Sequence, residues 1–202
     1  ITILLGGMLL APEFGASTSL AGPISVDAQP LALNAARPEQ RTVGSLTYRG
    51  GLVISSSAAE FGGLSALGVS ADGERMVALT DRGRRFASQL VYDEAGNLTG
   101  LRRTTLDTMA NIDGTPLMAK SESDIESMSP GVEGEIIVAF ERHHRIWRYL
   151  PGRIEPEPLR HPTELSRLPA NNGIEGLALL HDGRLFAISE GLKNMPTTLA
   201  WT

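Results

Sequence analysis

Five carboxylates recur at matched places in this chain. Glu126 and Glu175 each open a segment, and Asp81, Glu141 and Glu190 each follow a short apolar run. Glu126 to Glu141 is 15 positions (141 − 126), Glu175 to Glu190 is also 15 (190 − 175), and the two sets are offset by 49 at both ends (175 − 126 and 190 − 141). Asp124, two residues before Glu126, falls on the same face of an extended strand. Acids delivered to one place by successive modules can bind a hard cation such as Ca²⁺, which takes about 6–8 oxygen ligands. Without such an ion their mutual repulsion raises their pKa values. The competing reading is structural, each acid accepting backbone N–H groups from the neighbouring module. The expected metal ligands are Glu126, Glu175, Asp81, Glu141, Glu190 and Asp124, for Ca²⁺ or another divalent cation, with Glu126 and Glu175 as the catalytic pair.

A basic turn, Arg142-His143-His144-Arg145, supplies the second constellation. An arginine fork suits phosphate and carboxylate, so Arg142 and Arg145 are expected to bind an anionic substrate group; the alternative is a polar hairpin tip in solvent. Other chemistry is excluded. The chain has no cysteine, so thiolate ligands, disulfides and cysteine nucleophiles are absent. It has no Gly-x-Ser-x-Gly elbow, which disfavours an α/β-hydrolase mechanism.

The elements that must position these acids are strands. Asp72-Gly73 and Asp182-Gly183 are hairpin signals, because glycine accepts positive φ without penalty. The runs 76–79, 136–140 and 185–188 are apolar without alternation, which marks strands covered on both faces. A second hairpin follows Asp81 and Glu141, giving about four short strands per unit, the make-up of a propeller blade with its usual repeat of ~40–50 residues. The expected fold is all-β, a partial β-propeller of about two and a half four-stranded blades near residues 61–113, 121–169 and 171 onward. The first copy is looser: Gly62 stands in the place of the opening glutamate, 19 positions before Asp81 (81 − 62). Residues 43–54 are expected to belong to a ring-closing blade, and the third strand of blade three to begin near Trp201. Because closure needs about four to eight blades, the chain is expected to be part of a longer propeller or to be completed by another chain.

With 42% hydrophobic residues the chain can build a core, and its net charge of −5, with signs interspersed, excludes the basic footprint of a nucleic-acid binder. The first ten residues are apolar but too short to span a bilayer, and Ser19-Leu20-Ala21 has the small residues of a signal-peptidase site. Residues 1–21 are therefore read as the remnant of an export signal, 22–41 as a linker, and 42–202 as the N-terminal part of a propeller domain truncated in its third blade. The expected location is periplasmic or secreted, with no membrane segment in the mature form.

Several stretches together resemble the phytase-like family, described by the esterase-like activity of phytase and found in exported bacterial proteins. They are Phe61-Gly-Gly-Leu-Ser-Ala-Leu67, Asp124-Ile-Glu126-Ser127, Val138-Ala-Phe-Glu141-Arg142 with Arg145-Ile-Trp-Arg-Tyr149, and Asn172-Gly-Ile-Glu175-Gly-Leu-Ala178 with Leu185-Phe-Ala-Ile-Ser-Glu190. The resemblance runs from about residue 42 to the end. It implies a six- or seven-bladed type of fold and a hydrolase of phosphate or carboxylic esters acting on a small molecule. A non-catalytic propeller that binds a ligand or protein, and a metal-dependent lactonase-like enzyme, are the alternatives.

Overall fold

The computed structural model describes residues 22–191 and 198–202; the stretch read as a signal remnant, 1–21, lies outside the described residues. The chain enters through β1 (Gly22–Pro23), β2 (Asp27–Pro30), β3 (Thr42–Val43), β4 (Leu46–Thr47) and β5 (Leu52–Ser55). Blade one follows with β6 (Leu64–Val69), β7 (Arg75–Thr80), β8 (Arg84–Tyr92) and β9 (Leu98–Thr108). A single helical turn, α1 (Lys120–Ser123), leads to blade two: β10 (Ile125–Pro130), β11 (Ile136–Phe140), β12 (Arg145–Tyr149) and β13 (Glu157–Pro158). A 3₁₀ turn, Thr163–Arg167, precedes blade three, made of β14 (Ile174–Leu179), β15 (Leu185–Ser189) and β16 (Ala200–Trp201). Every pairing within these blades is antiparallel, and the described residues form an all-β partial propeller without closure.

The hairpins arise as the sequence dictates. In blade one Asp72 Oδ1 accepts the Glu74 N–H while Gly73 takes φ 75°; in blade three Asp182 Oδ1 accepts the Arg184 N–H while Gly183 takes φ 83°. These aspartates shape the turns.

All five residues of β11 are buried, because the strand is covered on both faces. Val138 and Phe140 point toward blade one and pack with Leu79, Ile125 and Trp147; Ile137 and Ala139 point the other way and pack with Leu165, Ile174 and Ala187. Period-two geometry thus makes one strand serve two inter-blade cores. Burying each large aliphatic or aromatic side chain is worth about 1.5–3 kcal/mol. Leu67 and Val69 on β6 and Ile188 on β15 stay exposed, on faces that no other described residue covers.

Two expectations change. Residues 22–41, read as a linker, contain paired strands: β1 lies against β9 as a fifth strand of blade one, and β2 pairs with β5. Residues 43–54 do not gather into one blade; they divide between the β3–β4 hairpin and β5. Pro and Ala content signals a linker, yet short edge strands tolerate Pro. The third strand of blade three does fall at Trp201.

Candidate functional site

Each blade's innermost strand carries a β-bulge one residue in. The register slips between Leu64 and Ala66, Ile125 and Ser127, and Ile174 and Gly176, leaving Ser65, Glu126 and Glu175 as the bulged residues. A bulge re-aims the side chain it carries. The first copy's counterpart of the opening glutamate is therefore Ser65 and not Gly62, and the spacing to Asp81 is 16 positions (81 − 65), one more than in the other blades. The extra residue sits in the β6–β7 turn: Ser70 N–H reaches Arg75 across five positions, whereas Gly131 reaches Glu135 and Leu180 reaches Arg184 across four.

The closing acids are held at the same end. Asp81 N–H donates to Gly63 C=O at 2.9 Å, Glu141 N–H to Asp124 C=O at 2.9 Å, and Glu190 N–H to Gly173 C=O at 3.0 Å. Asp124 is thus the blade-two equivalent of two glycines. Its carboxylate, with those of Glu126 and Glu141, forms a cluster whose oxygens lie within 4.8 Å of one another. Gly173, opening blade three, keeps the space clear: a Cβ there would lie 2.9 Å from Glu126 Cγ and 3.0 Å from Glu141 Cβ.

The charges explain the electrostatics. Burial, and then the charges of Glu141, Glu175 and Asp124, push the Glu126 carboxyl up to about 7. Burial, followed by Asp124, raises Glu141, and burial followed by Glu190 raises Glu175. Asp124 is different. It is 2% exposed and doubly neutralised, receiving Lys120 Nζ at 2.5 Å on one oxygen and Arg142 Nε at 2.6 Å on the other. Lys120 also reaches Asp81 Oδ2 at 2.9 Å, so one ammonium joins the closing acid of blade one to the opening acid of blade two. Although burial opposes it, the hydrogen bonds that the ammonium donates to Asp124 and Asp81 hold the lysine pKa above its ordinary value. Position 169, four residues before Gly173 as Lys120 is four before Asp124, holds Pro. Among the described residues no ion pair reaches Glu126, Glu141, Glu175 or Glu190, and no backbone N–H donates to the carboxylates of Glu126, Glu141 or Glu175.

The sequence-derived residues therefore divide. Asp124, Glu126 and Glu141 come together, with Glu175 close enough for its charge to act on Glu126 and Glu190 close enough to act on Glu175. Asp81 belongs to the lysine-filled junction, with Oδ2 on Lys120 and Oδ1 buried without a hydrogen-bond partner among the described residues. Arg142, at φ 60°, turns back onto Asp124; its neighbour Glu141 is not its ion-pair partner. Arg145 stacks over Phe140 and Trp147, 3.9 and 4.3 Å from the ring centroids, and donates to the carbonyls of His143 and Glu122. It is half-buried and committed to holding the turn. Trp147 is buried between Phe140 and Tyr149, as inter-blade packing requires. Sequence reasoning missed Lys120; its signal is an i, i+4 lysine–aspartate pair just before a strand.

Glu126 and Glu141 present oxygen donors beside Asp124, whose own two oxygens are taken by Lys120 and Arg142, and the pKa of Glu126 is raised by burial and by the other acids; such a group fits a hard divalent cation. The same carboxyl, with a pKa near neutrality, can also hold or release a proton. Residues 59–198 match the model of the family described as Phytase-like: Esterase-like activity of phytase. No curated protein matches the chain.

Proposed function

The chain belongs to the phytase-like family, described by the esterase-like activity of phytase, and on that premise we propose that it is a hydrolase of phosphate or carboxylic esters acting at the junction of blades two and three. The observation that carries this reading is the cluster of Asp124, Glu126 and Glu141 beside Glu175, in which burial, and then the charges of the other acids, push Glu126 up to about 7. Glu126 and Glu141 would be the metal ligands, with Glu175 from blade three completing the set and Asp124 fixing their positions. A bound divalent cation supplies a Lewis acid for the ester oxygen and lowers the pKa of water.

The chain's own residues have separate tasks. Arg142, whose side chain is 39% exposed, spends its Nε on Asp124 and would use its remaining N–H groups to bind an anionic substrate group. The carboxyl of Glu126, pushed up to about 7 in the metal-free protein, can hold a proton there and release it when the cation binds. Gly173 leaves room for both glutamates. Export is part of the same proposal and rests on the apolar start of the chain and on Ser19-Leu20-Ala21; among the described residues no helix is long and apolar enough to cross a membrane.

A non-catalytic ligand-binding propeller is favoured by one specific feature, the chain Asp81–Lys120–Asp124–Arg142, which staples two blades and needs no substrate. Hydrolysis of phosphate monoester, acyl ester and lactone probes, with and without chelator, separates the readings. Turnover of a phosphate or acyl ester that is lost on chelation and in Glu175→Gln is the expected result. Turnover of the lactone alone would replace ester hydrolysis with a lactonase, and a folded protein inert to all three probes would refute the hydrolase.

A further inference from the structure

The outer strands of blade one outrun those of blade two. β8 and β9 have 9 and 11 residues, β12 and β13 only 5 and 2. The outer half of blade one consequently faces a groove where a neighbouring strand would otherwise lie, and the turn carrying Pro151 and Ile154 forms its rim. Val77, Met109 and Ile136 make the groove apolar, and Arg85 and Asp107 also line it.

Arg85 and Asp107 are cross-strand partners, with 3.9 Å between Arg85 Nε and Asp107 Oδ2. Asp107 is 4% exposed, and its other oxygen, Oδ1, is buried without a hydrogen-bond partner among the described residues. An acceptor so placed calls for a donor. Burial raises the Asp107 carboxyl above its ordinary range despite the opposing Arg85 charge, so the pair alone does not satisfy it. The site at the blade openings uses neither residue.

We propose that this groove between blades one and two is a second binding site, which takes a small carboxamide bearing a short apolar substituent. The amide N–H donates to Asp107 Oδ1, the amide carbonyl faces the Arg85 guanidinium, and the substituent lies against Val77, Met109 and Ile136. The charges select a neutral ligand. Arg85 faces Asp107, and Arg153 on the rim is paired with Glu157, so the lining carries no net charge to draw in an ammonium or a carboxylate, and either would lie beside a like charge. An amide offers a donor and an acceptor side by side and matches the Asp–Arg dyad without a net charge.

The test uses the full chain and three probes of one length, butanamide, butylammonium and butyrate, followed by saturation-transfer and chemical-shift NMR. Butanamide should bind at least tenfold more tightly than either charged probe, and weaken at least tenfold in Asp107→Leu. Ile154→Trp, a change at an exposed rim position, should close the groove and remove butanamide binding with the fold intact by circular dichroism. If Asp107→Leu does not fold, Ile154→Trp decides. Absence of butanamide binding to the natural protein, equal binding of butylammonium, or undiminished binding in folded Ile154→Trp overturns the proposal.

Discussion

Gly173 of blade three faces the Glu126 side chain of blade two so closely that a Cβ on it would stand 2.9 Å from Glu126 Cγ. The opening residue of one blade thereby sets the room available to the acids of the blade before it. In blade two the same place is taken by Asp124, and there the neighbouring acid, Asp81, is bridged to it by Lys120.

The first prediction tests that relationship. Gly173→Ala should move Glu126 and Glu141 apart and lower affinity for a divalent cation or for Tb³⁺ about tenfold, equivalent to ~1.4 kcal/mol, read by luminescence titration. The fold should persist, because the three atoms nearest the new methyl group belong to two side chains and none to the backbone. Unchanged affinity would show that the two glutamates do not bind the ion.

Stability of the metal-free protein should fall as pH rises from the ordinary glutamate range toward 7. Glu126 has a folded-state value of about 7 against an ordinary value of 4.5, so between these values the native state binds more protons than the unfolded chain, and unfolding becomes easier with rising pH. The group is only partly buried, and after discounting for solvent screening the change is about 1 kcal/mol, or ~2–4 °C in Tm. Glu126→Gln should flatten this dependence, and added divalent cation should reverse it. Thermal unfolding at pH 5 and pH 7.5 measures both.

Lys120→Ala should destabilise the junction of blades one and two by roughly 1–3 kcal/mol, because Asp124 at 2% exposure loses one of its two cationic partners. The midpoint of urea unfolding reads it. Lys120→Arg, which keeps the charge, should recover part of the loss.

Arg142 and Arg145 should respond differently to substitution. Arg142→Ala should raise KM for an anionic ester several-fold more than for a neutral one. Arg145→Lys should leave KM unchanged and lower the unfolding midpoint, since lysine cannot reproduce a planar cation stacked on Phe140 and Trp147 while bonding two carbonyls.

The strands, the turns and the repeat are legible directly in residue types, because they depend on local rules. Asp-Gly pairs set the hairpins and unbroken apolar runs mark strands buried on two faces, as β11 shows. The alignment of the first copy is not legible in the same way. Motif matching selects Gly62, whereas the bulge at Ser65 fixes the true equivalence, and a bulge is a property of paired strands. Charge alone points to Arg145 as an anion binder; the rings that claim it lie in β11 and β12.

The sequence by itself determined the blade architecture, the family and the recurrence of acids, since each follows from short-range pattern and spacing. Only the tertiary structure decided which acids meet. Whether a carboxylate is neutralised depends on what the adjoining blade offers across the junction, and Lys120 fills one such junction while Gly173 leaves the next to Glu126 and Glu141.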